Sequence, residues 1–241
     1  MIAVLDYGIG NLRSAEKALL HLGADARLVT DPSEAAGATG VVLPGVGAFG
    51  RCVEALQSSG LGRAAREALD RQVPFLGICV GFQLLYEGSE ESPGVEGLGV
   101  LPGVVRALPK GVKSPQMQWN RLERTPGRES GLLEGVGKTP WVYFLHSFAP
   151  ENGEDVVAIC DYGGDVVAVA ERGPIWGAQF HPEKSGSVGL AMLANFVVAC
   201  GEDLARDEPG ARDEPGARDE PRARDERPAR DDPPSRDGGD I

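Results

Sequence analysis

The sequence predicts an α/β fold: an open, mainly parallel sheet flanked by helices, with additional antiparallel strands and a disordered C-terminal tail. Three observations predict it. In the first ninety residues short β-type runs alternate with segments of helical periodicity, as βαβ units do. In the second half, strand-like runs follow one another without helices between them, and Gly163-Gly164 marks a hairpin turn. After Leu204 the apolar residues that could build a core give out.

The first strand is Ile2 to Asp6, and Leu12, Ala15, Ala18, Leu19 and Leu22 then recur at helical spacing. Strands follow near Ala26-Thr30, Gly40-Leu43 and Pro74-Ile78, with helices after Ala48, after Leu61 and after Cys79. Beyond these, Val100-Ala107, Trp141-Phe148, Val156-Cys160, Val166-Ala170 and Pro174-Phe180 read as strands, and Ser187 to Cys200 as the last helix.

The chain has 241 residues, with Lys+Arg 24 against Asp+Glu 36 and a formal net charge of -12. That balance argues against nucleic acid or an anionic membrane surface as partner and favours small molecules or proteins. Cys52, Cys79, Cys160 and Cys200 are far apart and form no C-x-x-C pair, so neither a metal site nor a disulfide framework is expected. The N-terminus lacks a cationic export signal, and the longest apolar stretch, Gly189 to Cys200, falls short of the ~18 residues of a membrane span. A cytoplasmic protein with reduced thiols is expected.

From Ala205 the string Ala-Arg-Asp-Glu-Pro-Gly recurs at Ala211 and, with drift, at Ala217, Ala223 and Ala229. Such a segment buries too little to offset chain entropy, so residues 205-241 are expected to be a disordered acidic repeat tail. Residues 1-204 are then one folded domain.

The sharpest chemical signal is Gly77-Ile78-Cys79-Val80-Gly81, between an apolar strand and a helical run. Glycines on both sides relieve crowding in a sharp strand-to-helix turn, the arrangement called a nucleophile elbow. A helix N-terminus contributes ~0.3-1 kcal/mol to a nearby anion, and at most ~2, which lowers a thiol pKa by about one unit. That is insufficient for full ionisation, so an imidazolium should stand beside Cys79. Of three histidines, His21 reads as a solvated or capping residue at a helix end. His146 reads as a hydrogen-bonded strand residue beside the site. His181 directly follows a strand and precedes Pro182-Glu183, which places a carboxylate where it can orient the ring.

The loop Gly45-Val46-Gly47-Ala48-Phe49-Gly50 also fits a dinucleotide fingerprint, but the acidic residue expected about 20 positions on, at the end of the next strand, is missing. Beside a nucleophile elbow it reads better as an oxyanion hole, with Val80 N-H as the second donor.

These motifs, in this order, resemble the class I, triad-type glutamine amidotransferases, and within them the glutaminase subunits of imidazole glycerol phosphate synthase. The resemblance covers about residues 1-200. It rests on Asp6-Tyr7-Gly8-Ile9-Gly10-Asn11-Leu12-Arg13-Ser14, Pro44 to Phe49, Gly77 to Gln83, Trp119-Asn120, Tyr143 to Ser147 and Gln179 to Ser185. It implies a flavodoxin-like fold and hydrolysis of glutamine through a thioester on Cys79, with His181 as base then acid and Glu183 orienting it. It further implies an oxyanion hole at Val46, Gly47 and Val80, and glutamine binding by Gln83, Gly47 and Ser147. Asn11, Trp119, Asn120 and Lys184 fall at the partner interface and ammonia exit.

No cofactor is implied. The implied partner is a cyclase (βα)8-barrel subunit, in a heterodimer that uses the ammonia to make imidazole glycerol phosphate and an aminoimidazole carboxamide ribonucleotide for histidine biosynthesis. A glutaminase of another amidotransferase, such as those of anthranilate or vitamin B6 synthesis, and a noncatalytic scaffold for the barrel are the alternatives. Gln118 stands where the family usually carries glycine; a left-handed backbone there would cost roughly 1-2 kcal/mol.

Overall fold

The first half of the chain is a series of parallel crossovers whose inner strands are buried on both faces. In the computed structural model, which describes residues 1-204, β1 (Ile2–Leu5) leads through α1 (Leu12–His21) to β2 (Ala26–Val29). A short α2 (Pro32–Ala35) precedes β3 (Gly40–Gly45); Asp31 caps it by accepting from Ser33 N at 2.8 Å, and Pro32 supplies the preset first φ. Two helices, α3 (Phe49–Ser58) and α4 (Leu61–Asp70), lead to β4 (Phe75–Cys79), and α5 (Val80–Gln83) follows at once.

The second half is mostly strands: β5 (Gly88–Ser89), β6 (Val104–Ala107), β7 (Gln116–Arg121), β8 (Glu123–Arg124), β9 (Trp141–His146), β10 (Phe148–Pro150), β11 (Val156–Asp161), β12 (Asp165–Arg172) and β13 (Ile175–Ala178). A 3-10 turn (Pro182–Lys184) and α6 (Gly186–Ala199) close the described chain.

The main sheet has eight strands in the order β2-β1-β3-β4-β13-β12-β11-β8. Pairing is parallel from β2 to β13 and antiparallel beyond it. Every residue of β1, β3, β4 and β13 is buried, as expected of parallel strands covered by helices on both faces. α6 is apolar all round and buries Met192, Leu193, Phe196 and Val197; Phe196 meets Trp176 edge-on at 6.0 Å. Burial of each such side chain contributes about 1.5-3 kcal/mol.

The α/β class, the mainly parallel sheet with its antiparallel extension and the Gly163-Gly164 hairpin between β11 and β12 agree with the sequence expectation. Several elements differ. The run Trp141-Phe148 is two strands: β9 pairs with β7, whereas β10 pairs with β6, and the chain changes sheet at Ser147, whose carbonyl accepts from Leu108 N. Only the last four residues of Val100-Ala107 form a strand, because Gly103, at φ 98°, turns the chain just before it.

The helix after Cys79 is a single turn, too short for a full macrodipole. Gln118 lies in extended β7 opposite Phe144, so no left-handed strain arises there. The expected tail, residues 205-241, lies outside the described residues. Among the described residues no helix is long and apolar enough to cross a membrane.

His146 is a polar residue inside this core, 6% exposed, with Nδ1 donating to the Phe148 carbonyl at 2.9 Å. Burial disfavours its charged form and holds its pKa down at about 4, against about 6.5 unfolded. Between these values the unfolded chain binds a proton that the native chain refuses, so stability is lost as pH falls from about 6.5 toward 4, by up to about 3 kcal/mol. Urea unfolding as a function of pH should show this slope, and His146→Asn, which keeps a donor but does not titrate, should flatten it.

Candidate active site

Three neighbouring parallel strands end together at the carboxyl edge of the sheet, where open α/β sheets bind ligands. β4 is central, with β3 and β13 on either side, and Gly45 of β3 stands opposite Cys79 of β4. Each strand hands its chain to a loop at that edge: Val46-Gly47-Ala48 after β3, the elbow after β4, and Gln179 to His181 after β13.

Cys79 has φ 57° and ψ -112°, and among the described residues only it and Gln72 have positive φ without being glycine. Such a backbone costs of order 1-3 kcal/mol and persists only where surrounding packing dictates it. Here two close approaches dictate it. A Cβ on Gly81 would collide with the Leu43 carbonyl oxygen, and one on Gly177 would collide with the Phe82 ring. The elbow therefore sits hard against both flanking strands.

His181 is 2% exposed, and its Nδ1 donates to Glu183 Oε1 at 2.8 Å, which leaves Nε2 for Cys79, on the wall of the same cavity. Burial opposes the imidazolium, but the hydrogen bonds and charges of Cys79 and Glu183 outweigh it and push His181 up to about 9. Burial likewise opposes the Glu183 carboxylate, and the hydrogen bond and charge of His181, then Asn11, hold it below the usual carboxylate range. Ser185 fixes the histidine backbone: its hydroxyl donates to the His181 carbonyl at 2.6 Å and accepts from Tyr143 N at 3.1 Å. The Cys79 thiol also faces the Leu145 carbonyl at 3.7 Å.

These groups face a cavity of about 200 Å³ lined by Val46, Gly47, Cys79, Val80, Gln83, Ser147 and His181, all singled out from the sequence. The Gln83 amide is buried and donates to the Phe148 carbonyl at 2.8 Å and to Gln179 Oε1 at 3.1 Å, so it braces the cavity wall. The Asn11 Nδ2 donates to Glu183 Oε1 at 2.9 Å, and its Oδ1 accepts from Ser14 at 2.9 Å.

Trp119, Asn120 and Lys184 stand away from the cavity lining. Trp119 is 47% exposed on β7, and Asn120 donates to the Asp161 carbonyl at 2.9 Å. Lys184 is exposed at the end of the 3-10 turn. Sequence reasoning missed Glu91, a cavity-lining carboxylate whose Oε2 accepts from Phe49 N at 2.7 Å. Its Gly88-Ser89-Glu90-Glu91-Ser92-Pro93 setting reads as a solvated turn and carries no local signal. Among the described residues no cluster of His, Cys, Asp and Glu is arranged to hold a metal.

Residues 3–200 match the family Glutamine amidotransferase class-I. The imidazole glycerol phosphate synthase subunit HisH of Bacillus cereus (strain G9842) is 44% identical over 197 residues, covering 81% of this chain and 93% of its own length. The HisH subunits of Salinibacter ruber and Moorella thermoacetica are 45% and 47% identical with the same coverage. Among solved structures, a glutamine amidotransferase aligns with TM-score 0.67 at 22% identity, covering 83% of this chain and 99% of that one. A chain of PurLQS from Thermotoga maritima aligns with TM-score 0.58 at 18% identity, covering 83% and 98%. The likeness to these structures extends the agreement to the fold, and the far higher identity to the synthase subunits narrows the branch: the chain belongs to the class-I glutamine amidotransferases, among the HisH subunits of imidazole glycerol phosphate synthase.

Proposed function

We propose that this chain hydrolyses glutamine to glutamate and ammonia through a thioester on Cys79, and passes the ammonia to a (βα)8-barrel cyclase subunit in the cytosol for histidine biosynthesis. The observation that carries the reading is the Cys79-His181-Glu183 arrangement at the mouth of a small cavity, with the His181 to Glu183 hydrogen bond at 2.8 Å. No cofactor takes part, and neither nucleic acid nor membrane is a partner.

In the first step Cys79 Sγ, as thiolate, attacks the carboxamide carbon and forms the C–S bond. Negative charge moves to the carbonyl oxygen, which the N–H groups of the Val46-Gly47 loop and of Val80 receive. None of the Val46, Gly47 and Val80 N–H groups donates a hydrogen bond among the described residues, so they are available. His181 Nε2 then gives its proton to the departing nitrogen, the C–N bond breaks, and ammonia leaves uncharged. In the second step His181 takes a proton from water, hydroxide adds to the thioester carbon, and collapse breaks the C–S bond to release glutamate and restore the pair. Glu183 keeps the imidazole oriented and its cation stabilised throughout. Glu91 supplies the negative charge that the substrate ammonium needs, and Gly47, Gln83 and Ser147 shape the rest of the glutamine subsite.

Ammonia released into water would be protonated and lost to the cyclase, so the partner must dock close to Cys79. The two-stranded β7-β9 ribbon offers that surface. Met117, Trp119, Trp141 and Leu145 are 58%, 47%, 53% and 37% exposed on it, and the Leu145 carbonyl reaches back to Cys79. Asn120, Lys184 and Asn11 are assigned to the same interface and ammonia exit, Asn11 through its bond to Glu183. Residues 1-204 carry the activity as one domain.

A glutamine-mimicking electrophile should label Cys79 in preference to Cys52, Cys160 and Cys200 in peptide mass mapping. Cys79→Ser should abolish glutamine use while ammonia-dependent synthesis by the complex persists, because an alcohol is far harder to ionise. A chain ending at residue 204 should match the full chain in both assays.

The raised pKa of His181 sets an alkaline limit. Its imidazolium must survive until the amine leaves, so turnover should fall as pH rises through about 9. Glu183→Gln removes one of the groups that raise it, and the limb should move to lower pH in the kcat profile. On the ribbon, Trp119→Glu should weaken association with the cyclase by about tenfold or more in titration calorimetry, with the melting temperature of the free chain unchanged.

A further inference from the structure

The proposed reaction leaves one buried polar side chain at the elbow unused. Gln179 follows β13 directly and is fully buried. β4 and β13 run parallel, with Gly177 beside Gly77 and Ala178 beside Ile78, so one further step brings Gln179 alongside Cys79. Backbone bonds pin the chain there on both sides: Gln179 N donates to the Ala168 carbonyl of β12 at 2.9 Å, and His181 N to the Tyr143 carbonyl of β9 at 3.0 Å.

The direction of the Gln179 amide is fixed by a relay that starts at a backbone carbonyl. The Phe148 carbonyl accepts from Gln83 Nε2 at 2.8 Å, so the nitrogen of that amide faces it, and the same nitrogen donates to Gln179 Oε1 at 3.1 Å. With its oxygen engaged, the Gln179 amide turns Nε2 the other way, where it donates to Cys79 Sγ at 4.0 Å. Reversal of Gln83 would set oxygen against oxygen, and reversal of Gln179 nitrogen against nitrogen. Among the described residues Cys79 Sγ is the acceptor this Nε2 has, and a buried amide donor without an acceptor is costly.

We propose that the Gln179 amide is a second stabiliser of the Cys79 thiolate beside the His181 imidazolium. It acts when Cys79 ionises, and again when the C–S bond of the thioester breaks and its electron pair returns to sulfur. The inference rests on the thioester reading of Cys79. A neutral thiol is a weak acceptor and leaves the amide at long range, whereas a charged acceptor draws its donor in, and hydrogen bonds at reacting centres tighten as charge develops. α5 is a single turn, so its N-terminal end supplies little of that stabilisation, and an aimed amide N–H adds to it. The other titratable groups around the sulfur are engaged elsewhere. Tyr7 and Cys52, which burial keeps protonated, donate to the Pro44 and Val46 carbonyls; Glu183 accepts from His181 and Asn11; Glu91 accepts from Phe49 N.

The test uses the full chain in complex with the cyclase and follows alkylation of Cys79 by iodoacetamide against pH, read on the Cys79 peptide by mass spectrometry. That reaction needs a thiolate but no glutamine. Gln179→Met removes the donor at similar volume, with Gln179→Leu in its place should the methionine variant fail to fold. Gln179→Glu keeps the oxygen that Gln83 donates to and puts a carboxylate oxygen where the N–H was. A hydrogen bond to a charged group contributes about tenfold or more, so the half-point of alkylation should move up by about one pH unit in the apolar variant and further in the glutamate one. At neutral pH kcat for glutamine should fall about tenfold or more in both, while ammonia-dependent synthesis, which reports folding and docking, persists. The proposal is overturned if the apolar variant alkylates with the unmodified profile, even where kcat falls, since that is the behaviour of a wall brace that never touches the thiolate. A shift confined to the glutamate variant overturns it too, because it reports an added charge and not a lost donor. Glutamine hydrolysis that survives Cys79→Ser in the unmodified background would overturn the thioester reading itself, and this inference with it, whatever the alkylation profile shows.

Discussion

Everything at the carboxyl edge of the sheet depends on one constraint, the close approach of backbone to backbone where β3, β4 and β13 end. Cys79 holds a left-handed φ of 57° because the chain on its far side is pressed against its neighbours. The amide of Gly81 sits so near the Leu43 carbonyl that no side chain fits between them, and Phe82 fills the space over Gly177. Strain of about 1-3 kcal/mol at one residue is balanced by packing distributed over three strands. The result is a thiol that projects from the sheet into a cavity, with its neighbouring N–H groups left unpaired.

The imidazole is held by a longer chain of contacts. Ser14 donates to Asn11, Asn11 to Glu183, and His181 to the same Glu183 oxygen, so the carboxylate receives two hydrogen bonds at one atom. Glu183 and His181 are both buried, where an ion pair without further support would be costly. Asn11 supplies that support from the start of α1, and Ser185 fixes the histidine backbone from the start of α6. The orientation of the ring thus depends on both ends of the domain being folded, which ties formation of the site to formation of the whole sheet.

The ribbon of β7 and β9 works on a different principle. One of its faces is buried, with Gln116, Val142, Phe144 and His146 turned inward, while Met117, Trp119, Trp141 and Leu145 face out. Large apolar residues therefore stand on both faces of the ribbon, and those of the outer face are exposed. Since Leu145 belongs to this ribbon and its carbonyl meets the Cys79 thiol, whatever covers the outer face touches a structure in direct contact with the nucleophile.

The sequence by itself determined what is written in short-range chemistry. Glycines on both sides of Cys79 announce a sharp turn, continuous apolar runs announce buried parallel strands, and a histidine directly after such a run is delivered to the sheet edge. From these the fold class and the convergence of Cys79, His181 and Glu183 were legible. Only the tertiary structure decided which distant groups meet. Asn11 reaches Glu183 across 172 positions and Tyr7 reaches Pro44 across 37, and no periodicity encodes either contact. Glu91 lines the cavity from a segment that reads as a polar turn, and the break at Ser147 is set by two sheets competing for one apolar run. The physical reason is the same in each case: local pattern specifies which face of an element is buried, whereas the partner of a buried polar group is chosen by the packing of elements far apart in the chain.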